Sequence, residues 1–145
     1  LSKAPADKVL ICQPNDNVAA FMGELSAEYL LKKNVRGYIA DGGCRDVEFI
    51  NNINFPVWSK FNTPKDVVGY WKPDELETTI KIGDVIINNN DYVLADIDGV
   101  VIIPQDHIIN ILEKTENLIS TESKVRKAIR EGMDPQEAYI KFSAF

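Results

Sequence analysis

The stretch from Gly37 to Phe49 carries the residues of this sequence best suited to chemistry. It begins with an apolar, strand-like run at residues 37–40 and leads through two glycines to the adjacent Arg45 and Asp46. A guanidinium binds a carboxylate or enolate through paired hydrogen bonds, and aspartate supplies the hard oxygen ligands that Mg²⁺ and Mn²⁺ prefer. The pair therefore suits a small anionic substrate held beside a divalent cation. A capped surface helix is the simpler interpretation of an Arg-Asp dipeptide that stands alone.

The two glycines, Gly42 and Gly43, together with Asp41, predict a turn after this strand. Glycine lacks the Cβ that disfavours positive φ, so the backbone can turn tightly and approach a ligand. Residues 47–52 then have the pattern of a short helix. The turn is therefore expected to present Arg45 and Asp46 at the end of the strand.

A second candidate segment, Gly23-Glu24-Leu25-Ser26, opens a predicted helix that extends to Lys33. Exposed N–H groups at a helix start attract anions, and the helix dipole strengthens this attraction. A strand at residues 8–12 precedes the helix, so the order is strand, helix, strand, which implies a parallel pair. Ligands bind at the carboxyl ends of parallel strands. Gly23 alone would be a packing glycine, but together the two segments favour a binding site.

The remaining pattern predicts short strands, then helices. Close spacing of the turns between the strands favours antiparallel meanders or a small barrel-like sheet. Residues 106–130 are helical in pattern, with Ile108, Ile109, Ile111, Leu112, Leu118, Ile119, Val125 and Ile129 as expected buried positions. Gly132 ends this helix, and Asp134-Pro135 begins a short last one. The predicted strands lie at residues 55–61, 67–71, 78–82, 85–87, 92–95 and 100–103. We expect one α/β domain with a mixed sheet over residues 1–145.

Charge and composition exclude several classes of function. The net charge of −6 argues against nucleic-acid binding through a basic face. No apolar run approaches the roughly 20 residues of a membrane span, and no signal-peptide pattern opens the sequence. Cys12 and Cys44 form neither a metal-ligand spacing nor a disulfide framework, and His107 is the one histidine. We expect a cytoplasmic protein without a membrane or nucleic-acid partner.

The sequence resembles the RraA-like family, which includes class II pyruvate aldolases that cleave 4-hydroxy-4-methyl-2-oxoglutarate and 4-carboxy-4-hydroxy-2-oxoadipate. The resemblance covers nearly the whole chain and implies a β/β/α swivelling-domain-like fold. It rests on the helix start at residues 23–26, the DGGCRD segment at 41–46, FPVW at 55–58 with Thr63-Pro64 after it, YVLADIDGVVIIP at 92–104, and the tail at 131–139.

The resemblance implies specific roles. Asp46 would hold Mg²⁺ or Mn²⁺ with water in the other positions, and Arg45 would bind the pyruvyl oxygen. The amides of residues Gly23, Glu24, Leu25 and Ser26 would bind the substrate carboxylate. Cleavage of a C–C bond beside a 2-oxo acid leaves a pyruvate enolate, which a cation and an arginine stabilise. Neither motif contains lysine, which disfavours a Schiff-base aldolase.

Three functions are compatible with this family. The first is a metal-dependent lyase, either an aldolase or an oxaloacetate decarboxylase, because both reactions pass through the same enolate. The second is a non-catalytic regulator that binds a ribonuclease or another protein; the best known of these lacks the metal aspartate, which Asp46 retains. The third, a methyltransferase, lacks support because no glycine-rich adenosyl-methionine loop follows the first strand.

For several other residues we prefer a structural role to a functional one. Asp41 and Glu48 could support the site from behind, but helix-cap or solvated roles suit them equally. His107 is expected at the surface, and Cys44 is expected to be a small buried residue beside the site. The aromatic residues Trp58 and Phe61 could wall the pocket, although core packing is the simpler assignment.

The family fold has an additional helix and strand before the part that matches Lys8, so we expect this chain to be an N-terminally truncated form. Family enzymes are trimers with sites at subunit boundaries, which implies that a neighbour supplies further acidic residues.

We predict an oligomer, because a chain that begins at a core strand leaves a sheet edge and apolar surface to cover. The resemblance implies that this oligomer is a homotrimer or a higher multiple of three. Light scattering on the purified chain should give three times the monomer mass. A monodisperse monomer that melts cooperatively would contradict the prediction.

Overall fold

A three-stranded parallel sheet forms the centre of the first part of the chain. The computed structural model describes residues 1–142, which divide into one compact unit, Leu1–Ile102, and a second that begins at Ile103. The strand order is β1-β2-β3, and both pairs are parallel, as the strand–helix–strand pattern predicts. The strands and their connecting helices follow one another as β1 (Val9–Cys12), α1 (Glu24–Lys32), β2 (Gly37–Cys44), α2 (Val47–Asn52) and β3 (Val57–Asn62).

The core lies against β2, the middle strand. Its apolar residues Tyr38, Ile39 and Ala40 are buried, which is typical of a strand covered on both faces. Leu30 of α1 and Ile50 of α2 are among the largest fully buried side chains. Burying a leucine or isoleucine side chain contributes about 1.5–3 kcal/mol. The two helices are therefore fixed on the sheet by their inner faces, and their first residues are fixed with them.

The predicted turn at residues 41–43 is wrong, because β2 runs through both glycines to Cys44. Neither Gly42 nor Gly43 has a positive φ. Instead, the backbone before α1 lies directly against Gly43, whose N–H donates to Ala19 O at 3.2 Å and whose carbonyl accepts the Phe21 N–H at 2.8 Å. A Cβ on Gly43 would lie 2.6 Å from Ala19 O. The missing Cβ thus serves the close approach of a neighbouring strand-like segment.

The predicted strand at residues 67–71 is also wrong. The amides of Tyr70 and Trp71 both donate to Val67 O, at 2.9 and 3.0 Å, which closes a turn. Gly69 has φ +72° and takes the left-handed conformation within it. The apolar residues of this segment predicted a strand, but they belong to a turn whose Tyr70 and Trp71 contact the loop before α1.

The short strands after this turn pair as hairpins. β4 and β5 are antiparallel and joined at Gly83-Asp84, where Gly83 has φ +58°. β6 pairs with β7 in a separate two-stranded sheet. In the described part of the chain these pairs do not join, so the hairpins are confirmed and a barrel-like sheet is not formed. The strands are β4 (Ile80–Ile82), β5 (Val85–Ile87), β6 (Tyr92–Ala95) and β7 (Val100–Ile103).

The second unit is helical, as predicted. A 3-10 turn at Gln105–His107 leads into α3 (Ile108–Arg130), and α4 (Pro135–Phe142) follows. Gly132 has φ +95°, and Asp134 Oδ1 accepts the amides of the second and third residues of α4 at 2.8 and 3.2 Å. Within residues 1–142, no helix has the length and apolar character needed to cross a membrane.

The apolar positions predicted to be buried on α3 are not buried. Ala128 is the buried residue of this helix, and it lies near the end that contacts α4. Since α4 has eight residues and α3 has 23, the short helix covers only part of the long one. Ile108, Ile111 and Val125 are half-buried, whereas Ile109, Leu112, Leu118, Ile119 and Ile129 are exposed.

We predict that Gly43→Ala lowers the free energy of unfolding by about 1–3 kcal/mol, the usual cost of overpacking. The added methyl group would meet backbone oxygen at 2.6 Å and the Phe61 and Thr63 side chains at 2.8 Å. Urea denaturation measures the change. Gly83→Asn is the control, because nothing lies within 4 Å of that position and Asn tolerates φ +58°. Equal effects of the two substitutions would contradict the assignment.

Candidate active site

The two predicted segments meet at the end of β2. The Arg45 N–H donates to Met22 O at 2.9 Å, and the Glu24 N–H donates to Asp46 Oδ2 at 3.0 Å. A Cβ on Gly23 would lie 2.9 Å from both Arg45 Nε and Asp46 Oδ2. Gly23 is therefore required for this close packing, and the structure brings Arg45 and Asp46 against the start of α1.

Asp46 has the left-handed backbone conformation, with φ +56° and ψ +34°. This conformation disfavours most L-residues by about 1–2 kcal/mol, although aspartate and asparagine adopt it more readily. Asp46 occupies the N-cap of α2, yet its side chain does not cap that helix. Its carboxylate turns to the start of α1 instead. The sequence predicted a positive φ at Gly42 and Gly43, whereas the structure has it at Asp46, the proposed metal ligand.

The start of α1 retains donors for a ligand. The Asp46 carboxylate uses the Glu24 amide, and the Ala27 amide begins the helical pattern by donating to Gly23 O at 3.0 Å. In the described chain, the amides of Leu25 and Ser26 have no acceptor. Free N–H groups at a helix N-terminus form an anion site. The Gly23 amide likewise has no acceptor among these residues, so three of the four predicted residues leave a backbone donor unused, while the Leu25 side chain is exposed.

Arg45 is held between two aspartates. Its Nη1 lies 2.8 Å from Asp66 Oδ2, and its Nε lies 3.5 Å from Asp46 Oδ2. The hydrogen bond to Asp66 raises the pKa of Arg45, and the same bond, with the Val68 amide, lowers the pKa of Asp66. The guanidinium is therefore charged and oriented.

Asp66 is a site residue that the sequence reasoning missed, because the segment after β3 was interpreted only as a turn. One signal could have found it. Asp66 follows the third parallel strand, just as Arg45 and Asp46 follow the second. Side chains after neighbouring parallel strands meet at one edge of a sheet.

A shallow cavity of about 370 Å³, open to solvent, lies beside this group. Among its lining residues are Glu24, Asp46 and Glu48, and the others are Val47, Phe49 and Asn52. In residues 1–142, no three His, Cys, Asp or Glu side chains are grouped to hold a metal ion. Mg²⁺ nevertheless commonly binds through one or two carboxylates and keeps several waters. Asp46, about one-third exposed beside an acidic cavity, fits a hydrated cation of this kind.

The other predicted supporting residues occupy different places. Asp41 lies within β2, where its buried Oδ1 is paired with Lys60 Nζ at 2.5 Å. Cys44 is buried beside the site as expected, and burial raises its pKa to about 11. His107 is exposed at the start of α3, in the second unit. Glu48 is exposed and lines the cavity.

The two aromatic candidates do not wall the cavity. Trp58 Nε1 donates to Asp96 O at 2.7 Å, which ties β3 to the end of β6. The Phe61 ring lies against Gly43, where a Cβ would be 2.8 Å from it. Both rings therefore have structural roles in this unit.

Residues 1–102 match the model of the RraA-like family, which is described as Aldolase/RraA. The matched range coincides with the first compact unit, which contains the candidate site. The chain belongs to the RraA-like family, as its motifs predict.

Two curated relatives align with most of the chain. Protein DlpA of Legionella pneumophila is 30% identical over 142 residues, which cover 95% of this chain and 23% of DlpA. A Halalkalibacterium halodurans protein named "Putative 4-hydroxy-4-methyl-2-oxoglutarate aldolase" is 25% identical over 141 residues, covering 94% of this chain and 65% of that protein. The chain thus spans less than two thirds of the length of either relative.

A solved structure has the same fold. Streptomyces coelicolor RraAS2, described as an unusual member of the RNase ES inhibitor RraA protein family, superposes with a TM-score of 0.80. The superposition covers 87% of this chain and 65% of that chain at 23% sequence identity. The predicted α/β fold of the RraA type is therefore confirmed.

We predict that Arg45→Met raises the pKa of Asp66 toward its ordinary value, because the largest cause of the lowering is the hydrogen bond from Arg45. A lowered pKa in the folded state stabilises the fold above the unfolded pKa of about 3.9, and this contribution is lost as pH falls through the folded pKa. In the Arg45→Met variant, the free energy of unfolding should no longer fall with pH through this contribution of Asp66. Carbon-13 NMR titration of the carboxyl groups measures the pKa, and urea denaturation at several pH values measures the stability.

Asp16 is the internal control. Its pKa is also lowered, but by the Ala19 amide first and then by the Tyr70 hydroxyl and the Val18 amide. Arg45→Met should leave it unchanged. Equal shifts at Asp16 and Asp66 would indicate a general loss of structure.

Proposed function

We propose that the chain is a divalent-metal-dependent lyase that acts on a 4-hydroxy-2-oxo acid or on oxaloacetate and releases pyruvate. The observation that carries the proposal is the convergence of Arg45, Asp46 and the free amides at the start of α1 on one edge of the sheet. Membership of the RraA-like family and the name of the 25% identical relative support the same chemistry. The aldolase and decarboxylase reactions share one requirement, a stabilised pyruvate enolate.

Arg45 supplies positive charge where the enolate oxygen develops. The side chain is held in place before substrate arrives, by Asp66 on Nη1 and by Asp46 near Nε. Preorganised donors of this kind stabilise a transition state without reorganising during the reaction. In the proposal, the remaining guanidinium N–H groups bind the 2-oxo oxygen of the substrate.

The amides of Leu25 and Ser26 receive the substrate carboxylate. They stand at the positive end of the helix dipole, and no protein acceptor in the described residues competes for them. This contact would fix the 2-oxo acid with its reactive carbonyl toward Arg45. Analogues without the carboxylate are then expected to be poor substrates.

Asp46 is the residue that would hold Mg²⁺ or Mn²⁺. The cation, when bound, would supply further positive charge beside the 2-oxo group and act as a Lewis acid. Aldol cleavage also requires removal of the proton of the 4-hydroxyl group. Glu24 and Glu48 line the same cavity and carry carboxylates that can accept such a proton.

The test is pyruvate release from a panel of 4-hydroxy-2-oxo acids and oxaloacetate, with Mg²⁺ and after chelation. Folded chain that releases no pyruvate from any of these would make a non-catalytic regulator the better hypothesis. Equal turnover in excess chelator would exclude the metal-dependent mechanism.

We predict that Asp46→Ala lowers kcat/KM for pyruvate release by at least about 100-fold, the usual loss for a group that stabilises transition-state charge. Asp46→Asn keeps an acceptor for the Glu24 amide but removes the charge that a cation requires, so it should also lose activity. Coupled lactate dehydrogenase assays measure the rates.

Asn54→Ala is the matched control. Asn54 is exposed and has φ +54°, close to the +56° of Asp46, so alanine costs about 1 kcal/mol of stability at either position. Loss of activity in Asn54→Ala would show that backbone strain, and not the carboxylate, explains the Asp46 result.

A further inference from the structure

We propose that Asp66 is a positioning residue that holds the guanidinium of Arg45 toward the start of α1. The inference rests on the proposed function, because it assigns Asp66 a role in that reaction through Arg45. It concerns a residue that lies outside both sequence motifs.

The geometry of the guanidinium motivates the proposal. Arg45 Nη1 meets Asp66 Oδ2 at 2.8 Å, while Nε lies 3.5 Å from Asp46 Oδ2. Among the described residues, no carboxylate forms an ion pair with Nη2. Asp66 therefore fixes one side of the planar group and leaves another side for a ligand. The 2.8 Å contact at Nη1 is the short one, and the 3.5 Å contact at Nε adds a weaker second restraint on the plane of the guanidinium.

An exposed ion pair is a weak restraint unless its partner is itself fixed. The Asp66 carboxylate is fixed by a nearby backbone amide, since its Oδ1 accepts the Val68 N–H at 3.0 Å. The neighbouring Lys65 carbonyl accepts the Ala20 N–H at 2.9 Å, which ties this loop to the segment before α1. The carboxylate thus approaches Arg45 from a loop with a defined position.

The turn at residues 67–71, which follows Asp66, is held against the segment before α1. The Tyr70 hydroxyl donates to Asp16 Oδ2 at 2.7 Å, and Trp71 Nε1 donates to Pro14 O at 3.0 Å. The Trp71 ring also packs edge-on against Phe21, with ring centroids 5.0 Å apart. These contacts explain why a turn rich in exposed residues is ordered beside the site.

Asp16 connects the turn at residues 67–71 to the sheet. Its Oδ1 accepts the amides of Val18 and Ala19 at 2.9 and 2.8 Å, and Ala19 O accepts the Gly43 amide two residues before Arg45. Asp66 and Arg45 are therefore positioned by one connected set of hydrogen bonds. Displacing Asp66 should change the position of the guanidinium, not the fold of the sheet.

The experiment compares the wild-type chain with Asp66→Asn. Asparagine keeps the size and the oxygen that accepts the Val68 amide, but it turns an NH₂ group toward Arg45. We expect the guanidinium protons of Arg45 to exchange with water about tenfold faster, the factor for one charge-assisted hydrogen bond. NMR of chain labelled at arginine measures this without substrate or metal.

Pyruvate-release kinetics give the second measurement. Misplacing a catalytic group by about 1 Å can cost about 100-fold in rate, so Asp66→Asn should lower kcat by about 10- to 100-fold. KM should change by less than about threefold, because Asp66 does not contact substrate. Asp66→Glu retains a carboxylate and should keep more of kcat than Asp66→Asn.

Asp7→Asn is the matched control. Asp7 forms an exposed ion pair with Arg36 at 2.5 Å, and Arg36 is in neither motif. This variant should leave both Arg45 exchange and kcat unchanged. A loss equal to that of Asp66→Asn would overturn the positioning role.

Each outcome decides one claim. Unchanged Arg45 exchange in Asp66→Asn would overturn the inference, and so would faster exchange with unchanged kcat in an active wild type. A gain in kcat would show that Asp66 competes with substrate for Arg45. If the wild type releases no pyruvate from any substrate, the proposed function fails, and the exchange rates alone decide whether Asp66 holds Arg45.

Discussion

The close approach of residues 19–21 to Gly43 is the contact on which the site depends. Two backbone hydrogen bonds join this segment to the middle strand, and a Cβ on Gly43 would lie 2.6 Å from Ala19 O. Because the segment leads directly into α1, its position sets where the helix begins. The Glu24 amide then meets the Asp46 carboxylate at 3.0 Å. A glycine in a strand interior thus determines the geometry between a helix start and an aspartate.

The charged groups around this contact then determine which ligands the site can attract. Arg45 lies between Asp46 and Asp66, so its charge is balanced from two sides while part of the guanidinium stays open. The positive end of α1 lies on one side, and the acidic cavity that includes Glu24 and Glu48 lies beside it. An anion and a cation can therefore be attracted to adjacent points. This separation of opposite charges suits a 2-oxo acid substrate held beside a divalent metal.

The sequence predicted the parts of the molecule that local pattern determines. The parallel strands, the helix starts and the meeting of Gly23 with Arg45 and Asp46 follow from periodicity and from the geometry of strand–helix–strand units. The role of Gly43 could not be predicted, because a close backbone approach and a turn both require glycine. Asp66 was missed because its partner is distant in sequence. The apolar periodicity of α3 predicted that one side of this helix is buried, but most of these side chains are exposed. Burial also requires a partner surface, and periodicity carries no information about one.

A crystal structure of the chain grown with Mn²⁺ and pyruvate would test the central claim most directly. The account predicts anomalous density within about 2.3 Å of an Asp46 carboxylate oxygen, a typical distance for a hard cation and oxygen. It also predicts the pyruvate carboxylate on the amides of Leu25 and Ser26, with the 2-oxo group facing Arg45. Manganese and pyruvate bound away from Asp46 and Arg45, with the Asp46–Glu24 contact unchanged, would contradict it.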